Sequence, residues 1–172
     1  MKNLKFIVAL SLAIVFASCS SDDDNGGDIY EFTKENLTGI YQLKTFSSLD
    51  EKYTVIDEDF DPIKTTTTSE GDTFNLTYDF AENDEVTLNG NFRVEQVKEQ
   101  GNNSTDTTYI VNYNEEVLSY SINEEERTLT IDGREYEVKG FESSGFELRH
   151  ADESVDENGN TKKYSEKMRF QN

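Results

Sequence analysis

Residues 73–80 read Thr73-Phe74-Asn75-Leu76-Thr77-Tyr78-Asp79-Phe80, and this stretch decides the fold class of the chain. Its apolar side chains stand at every second position, and polar side chains fill the positions between them. That period of two is typical of a β-strand with one buried and one solvated face. The stretch therefore predicts a half-buried antiparallel strand.

The same period continues from about residue 38 to the C-terminus. The next run is interrupted by Gly90, as a bulge or bend would interrupt it. The alternating apolar residues are Val86, Leu88, Phe92 and Val94; Tyr109, Val111 and Tyr113; Leu118, Tyr120 and Ile122; Leu129 and Ile131; Tyr136 and Val138; Phe146 and Leu148; Tyr164, Met168 and Phe170.

Turn signals separate these runs at short intervals. Asp132-Gly133 is typical of a two-residue hairpin, Asn158-Gly159 favours a second hairpin, and Ser144-Gly145 marks a turn. Regular short strands of this kind predict an all-β antiparallel fold, either a barrel or a sandwich.

Three segments depart from the strand pattern. Residues 33–38 predict one short helical turn capped by Thr33. Residues 50–70 hold an acidic cluster at 57–61 and a run of threonines at 65–68, and they predict one or two weaker strands with a long loop. We expect any mobile lid or rim there, and a polar exposed loop at 101–105.

The N-terminus predicts an export signal. Lys2 and Lys5 precede an apolar run of eleven residues, 6–16, which is too short to span a hydrocarbon core of about 30 Å. Phe16-Ala17-Ser18-Cys19 resembles the lipobox of bacterial lipoproteins. That resemblance implies that residues 1–18 are removed and that Cys19 carries lipid, which would anchor the chain to the membrane without spanning it.

Residues 19–29 are polar and acidic and predict a flexible tether. The acidic tract is similar to the surface-export signal of Bacteroidetes lipoproteins, which implies an outer-membrane lipoprotein exposed at the cell surface. The alternative is a solvated spacer that leaves the protein on the periplasmic face.

Charge and composition narrow the function classes. Removal of the signal takes two of the 16 basic residues and leaves 14 against 36 acidic ones, a formal charge of −22. Such a surface repels phosphate backbones, so nucleic acid is excluded as an expected partner. The single cysteine, Cys19, leaves no thiol for the domain, and nine Tyr with eleven Phe and no Trp predict an aromatic core.

Catalysis and metal binding have weak candidates. His150 is the only histidine, shares the parity of Phe146 and Leu148, and lacks a nucleophile-elbow motif nearby, so we expect it near a strand end as a structural or rim residue. The acidic groups at 57–61 and 152–160 do not match the calcium-loop spacing and are interpreted as solvated loops. No enzyme, cofactor or metal is predicted, although paired carboxylates for glycoside hydrolysis are neither identified nor excluded.

The start of the folded part carries a second resemblance. Residues 37–43 include Gly39 and Tyr41, which resemble the Gly-x-aromatic motif opening the lipocalin-like domains of Bacteroidetes lipoproteins. The resemblance implies a barrel of about eight strands over residues 30–172. It also implies that Tyr41 plugs the closed end and that Gly39 lets backbones approach closely.

Such a domain implies carriage of a small apolar or amphipathic ligand in the barrel mouth. The rings either line a pocket or fill the interior, and a filled core is slightly favoured; the protein would then be a surface interaction module. Candidate ligand contacts are Tyr78, Phe92, Tyr113, Tyr120, Tyr136 and His150. The expected inward rings are Phe74, Tyr78, Phe80, Phe92, Tyr109, Tyr113, Tyr120, Tyr136 and Phe146.

One modification site is a further hypothesis. Asp106-Thr107-Thr108 resembles the acceptor of Bacteroidetes protein O-glycosylation, with Thr107 as the modified residue. The alternative is a chance match, because three residues are a weak motif.

Overall fold

A computed structural model of the chain describes residues 30–56 and 60–172. In this part, each of eight antiparallel strands pairs with the next, and the last pairs with the first, so that one sheet closes into a barrel. This confirms the all-β meander and excludes a sandwich. The elements are α1 Lys34–Leu37, β1 Gly39–Thr54, β2 Ile63–Phe80, β3 Glu85–Gln100, β4 Asn103–Asn123, β5 Thr128–Ile131, β6 Arg134–Glu142, β7 Gly145–Val155 and β8 Thr161–Gln171.

The alternating pattern of residues 73–80 is confirmed in the second half of β2. Leu76, Tyr78 and Phe80 are buried against the core, with polar residues between them on the outer face. Phe74 is only half-buried, because the pairing with β3 shifts between Asp72 and Asn75. The irregularity changes the direction of the Phe74 side chain, as a β-bulge does.

The predicted turns are confirmed. Asp132 and Gly133 both have positive φ, 49° and 78°, and join β5 to β6 as a two-residue hairpin. Gly90 lies at a register shift between β3 and β4, and an added Cβ would lie 1.8 Å from the Asn75 carbonyl oxygen. Only glycine fits there, because the backbones of β2 and β3 approach so closely.

One loop prediction is wrong, and the prediction for residues 50–70 is confirmed in part. Strands occur in the 50–70 stretch as expected, because β1 ends at Thr54 and β2 begins at Ile63. Residues 65–68 lie inside β2 and pair with both β1 and β3, so this strand is more regular than expected. The polar stretch at 101–105 reduces to a turn at Gly101 and Asn102, after which β4 begins. Threonine is β-branched and fits a pleated sheet, and ladder pairing outweighed the polar composition.

The helix closes one end of the barrel, here called the closed end. The Thr33 hydroxyl accepts a hydrogen bond from the Asn36 amide at 3.2 Å, which confirms the predicted cap. Leu37 is fully buried below the strands. Tyr41 packs against Phe146 with ring centroids 4.9 Å apart, and its hydroxyl donates to the Asn36 carbonyl at 3.1 Å. Tyr41 thus plugs this end.

The reason given for Gly39 is wrong. A Cβ added there would meet nothing within 4 Å, so no close backbone approach requires a glycine. The residue instead has a φ of +139°, a conformation that side-chain-bearing residues rarely adopt.

Unequal strand lengths leave a gap in the wall. The β5–β6 hairpin has only four residues in β5, and it pairs with β4 at 120–123 alone. The pair of β6 and β7 residues farthest from the closed end is Glu137 with Arg149. Above the hairpin, residues 103–119 of β4 and 150–155 of β7 therefore face each other across a side opening, with no described strand between them.

Candidate ligand-binding site

A buried carboxyl group lies halfway up the barrel interior. Glu166 stands on β8 between His150 on β7 and Ser48 on β1. Its neighbours on the same face, Met168 and Phe170, belong to the apolar core. Glu166 itself is only 9% exposed. A charged group so placed needs nearby donors, because burial of an unpaired charge is costly.

Three donors approach the two carboxyl oxygens. The Tyr136 hydroxyl donates to Oε1 at 3.1 Å, and the Tyr164 hydroxyl donates to Oε2 at 2.5 Å. The Arg134 guanidinium lies 3.6 Å from Oε2. We call these four residues together with His150 the Glu166 cluster.

Rings and cations surround the carboxyl group. The His150 ring lies 5.7 Å from that of Tyr136 and 6.1 Å from that of Tyr164. Its Nδ1 donates a hydrogen bond to the Glu135 carbonyl at 2.7 Å, because a carbonyl oxygen can only accept. The Arg134 guanidinium stands over the Tyr164 ring, 5.6 Å from its centroid. Cations attract aromatic faces at this range.

The tyrosine hydroxyls of the cluster remain protonated donors at neutral pH. Burial raises the pKa of Tyr136 and of Tyr164, and the nearby Glu166 raises the pKa of both further. Burial likewise raises the pKa of Tyr78 and Tyr113, with Glu166 adding to both shifts. The four tyrosines can therefore donate to the carboxyl group or to a ligand, but they are poor bases.

A cavity of about 470 Å³ lies above the cluster, at the side opening. Its size falls within the range of small-molecule sites. The cavity floor is aromatic and its rim is charged. The lining residues are Gly133, Arg134, Glu135, His150, Asp152, Lys162 and Tyr164.

Below the cluster the barrel is filled, which agrees with part of the filled-core expectation. Phe146 packs on Phe170 at 5.1 Å, and Phe80 meets Tyr120 edge to face at 5.2 Å. Phe46 and Phe74 enclose Phe92 at 5.3 and 5.6 Å. The interior is thus divided into a packed aromatic half and an open polar half.

The structure brings together only some of the candidate ligand contacts. Tyr136 and His150 belong to the cluster, and Tyr78 and Tyr113 lie close enough for Glu166 to shift their pKa. Phe92 is buried between Phe46 and Phe74 as described above, and it pairs with Val111 of β4. Tyr120 lies at the closed end, where its hydroxyl donates to the Ala81 carbonyl at 2.6 Å.

Two further placements correct the sequence interpretation. His150 does not lie near a strand end, because β7 continues to Val155. Tyr109 faces inward by parity with Val94, its partner on β3, but is 40% exposed. It lies beside the side opening, where the next strand along the ring does not reach.

Sequence reasoning missed Arg134, Tyr164 and Glu166 as site residues. A signal for Glu166 was present, because the run Tyr164, Met168 and Phe170 has period two and position 166 shares its face. A charged residue at an inward position is the informative exception in such a pattern.

A depression of about 950 Å³ lies mostly on the outer wall of the barrel. Leu49 pairs directly with Thr68 on one side and Ser165 on the other, so these three share a face. The next residues along their strands, Ser48 and Glu166, face the interior. Most of this depression therefore lies on the opposite side of the sheet from the Glu166 cluster, although His150 and Glu166 also border it.

The remaining candidates from the sequence are the acidic clusters, Cys19 and Thr107. In the described part of the chain, no three His, Cys, Asp or Glu residues lie close enough to hold a metal ion. Asp156 instead accepts hydrogen bonds from Asn158 and Asn160 within its own turn. Residues 57–59 of the first acidic cluster and Cys19 lie outside the described residues. Thr107 is exposed on β4, paired with Gln96.

The fold and the cluster define a closed eight-stranded antiparallel barrel with a polar, tyrosine-rich interior site. No family model matches the chain, and no curated protein or solved structure matches it either. Within residues 30–56 and 60–172, no helix has the length and apolar character to cross a bilayer.

Proposed function

We propose that this protein is a non-enzymatic binding protein that holds a small amphipathic ligand in the open half of its barrel. The ligand's polar head would contact the Glu166 cluster, and the ligand would pass through the side opening. The supporting observation is the buried carboxyl of Glu166, whose partners Arg134 and Tyr164 line an open cavity together with His150. A barrel that needed only to fill its core would gain more from an apolar residue at this position.

The inner face of β4 supplies the apolar contacts for such a ligand. Tyr109, Val111 and Tyr113 lie in one row along the side opening, and Val111 and Tyr113 are half-buried. Apolar surface beside convergent polar groups is the usual composition of a small-molecule site. Burial raises the pKa of Tyr113, and Glu166 and Arg134 also act on it, so this end of the row lies within electrostatic range of the cluster.

The proposal includes lipocalin-like membership and a lipid anchor at Cys19, with the domain carried at the outer membrane, facing the cell surface or the periplasm. The closed ring and the buried Tyr41 at the start of β1 support the first point. The lipobox-like sequence supports the second. We expect Cys19→Ala to move the protein from the membrane to the soluble fraction, and a membrane-bound variant would contradict the anchor.

Native mass spectrometry of the chain purified from its own host tests the binding function. The expected result is an added mass that disappears on denaturation and is recovered by organic extraction. Glu166→Gln should reduce the occupied fraction, whereas Glu137→Gln, on the outer wall at β6, should not. Equal occupancy in both variants would contradict the assignment of the site.

A second candidate is a surface interaction module that binds a protein on its outer wall. The depression of about 950 Å³ around Leu49 favours it. If Leu49→Ser abolishes capture of a surface partner while Glu166→Gln leaves it unchanged, this second function replaces the first.

A further inference from the structure

The protein's own cations already occupy the aromatic faces of the Glu166 cluster. The Arg134 guanidinium stands over the Tyr164 ring at 5.6 Å, and the Lys162 ammonium lies 6.0 Å from the same centroid. Arg134 also reaches Oε2 of Glu166. Aromatic rings beside a buried carboxyl group form the type of site that binds ammonium and guanidinium groups.

We infer that the ligand's polar head is an organic cation, either a primary amine or a quaternary ammonium, which replaces the Arg134 guanidinium at Glu166. This inference rests on the proposed function and names the class of ligand. The head would lie against the rings of Tyr136, His150 and Tyr164, with its charge next to the Glu166 carboxyl group. An apolar tail would follow the β4 row at the side opening.

Arg134 is held loosely enough to be displaced. Its contact with Glu166 is a single long one of 3.6 Å, and its side chain is 49% exposed. It is the first residue of β6, directly after the hairpin turn at 132–133, so its side chain can swing into solvent without disturbing the sheet. An incoming cation would therefore pair with the buried carboxyl group of Glu166 with little change to the sheet.

The charge around the cavity favours a cation over an anion. Asp50, Asp152 and Glu166 oppose Arg134 and Lys162, which leaves one negative charge in excess. Lys162 forms an ion pair with Asp50, with its Nζ 3.3 Å from the carboxyl oxygen. An anionic head would draw Arg134 off Glu166 and leave a buried carboxyl group without its cation, which is strongly unfavourable.

Isothermal titration calorimetry with three probes of equal chain length tests the inference. The probes are octyltrimethylammonium, octanoate and octyl glucoside, added below their micelle concentrations to the full mature chain. We expect the ammonium probe to bind about tenfold or more tighter than octanoate, which corresponds to the strength of a desolvated cation–π contact.

Three variants locate the effect. Glu166→Gln should weaken the ammonium probe about tenfold, and Arg134→Gln should strengthen it, because the internal competitor is gone. Glu137→Gln, on the outer wall, should leave the affinity for all three probes unchanged. If Glu166→Gln fails to fold, Arg134→Gln decides alone, since weaker ammonium binding in that variant would overturn the inference.

The probes separate failure of the inference from failure of the function. Tighter binding of octanoate than of the ammonium probe would overturn the cationic head and leave the binding function standing. Equal binding of all three probes would do the same. If none of the three binds, both the inference and the proposed function fail.

Discussion

Glu166 and Tyr136 form the most deeply buried polar pair of the site. Their hydrogen bond joins β8 to β6 across the barrel, over 30 positions in sequence. Each group is the hydrogen-bond partner of the other in a region with little water. Loss of one partner therefore leaves the second buried without a hydrogen bond, which costs about 1–3 kcal/mol.

A double-mutant cycle on this pair measures their coupling. We expect Glu166→Leu to lower the free energy of unfolding by about 1–3 kcal/mol, because two hydroxyls and a guanidinium lose their acceptor. Combining it with Tyr136→Phe should cost less than the sum of the single changes. Urea denaturation measures the four variants, and strictly additive losses would mean that the hydrogen bond does not form.

Tyr41 makes stability depend on pH in the alkaline range. Burial raises the pKa of its hydroxyl from about 10 to about 12. A raised pKa in the folded state means that the stabilising effect is complete below about pH 10 and is lost as the pH rises towards 12. We expect the free energy of unfolding to fall across that window and to fall less steeply in Tyr41→Phe. Identical slopes in both proteins would contradict this.

At the level of elements, the short β5–β6 hairpin determines where the barrel opens. The other strands of the wall have 9 to 21 residues, whereas β5 has four. The hairpin turn at Asp132 and Gly133 ends the pair at mid-height, directly beside Arg134. The turn therefore places both the side opening and one cluster residue.

Amide hydrogen exchange reports on this opening. The N–H groups of residues 109–117 that point away from β3 have no described strand to accept their hydrogen bonds, so we expect them to exchange quickly. Residues 120–123, which pair with β5, should be protected, and residues 86–94 of β3 serve as the control because both sides are paired. Uniform protection along β4 would show that another segment or chain covers the edge.

At the level of the whole molecule, stability is opposed by net charge. The chain carries a formal charge of −20, and local ion pairs such as Lys167 with Glu147 offset only a fraction of it. Self-repulsion of this kind destabilises compact states and is screened by salt.

We therefore expect the melting temperature to rise as sodium chloride increases from about 0.01 M to 0.5 M, where the screening length falls below about 5 Å. Differential scanning calorimetry measures the shift. A melting temperature that falls with salt would mean that the surface ion pairs outweigh the net repulsion.

The sequence alone determined the elements of this fold. Alternation in residues 73–80, the Asp132-Gly133 turn, the Thr33 cap and the Gly90 bulge are local features, and each reflects backbone geometry within a few residues. The wrong loop, at 101–105, followed from composition. Polar segments become strands when a neighbouring strand supplies ladder partners, which a single segment does not reveal.

Only the tertiary structure decided the site. Parity assigned Tyr136 and His150 to the interior, but it also assigned Phe92 and Tyr120, which lie in the packed part of the barrel. Depth along the barrel axis depends on register and on how far each hairpin extends, and these are set by pairing between strands distant in sequence. The meeting of Arg134 and Glu166 through β6, β7 and β8 is a consequence of that pairing.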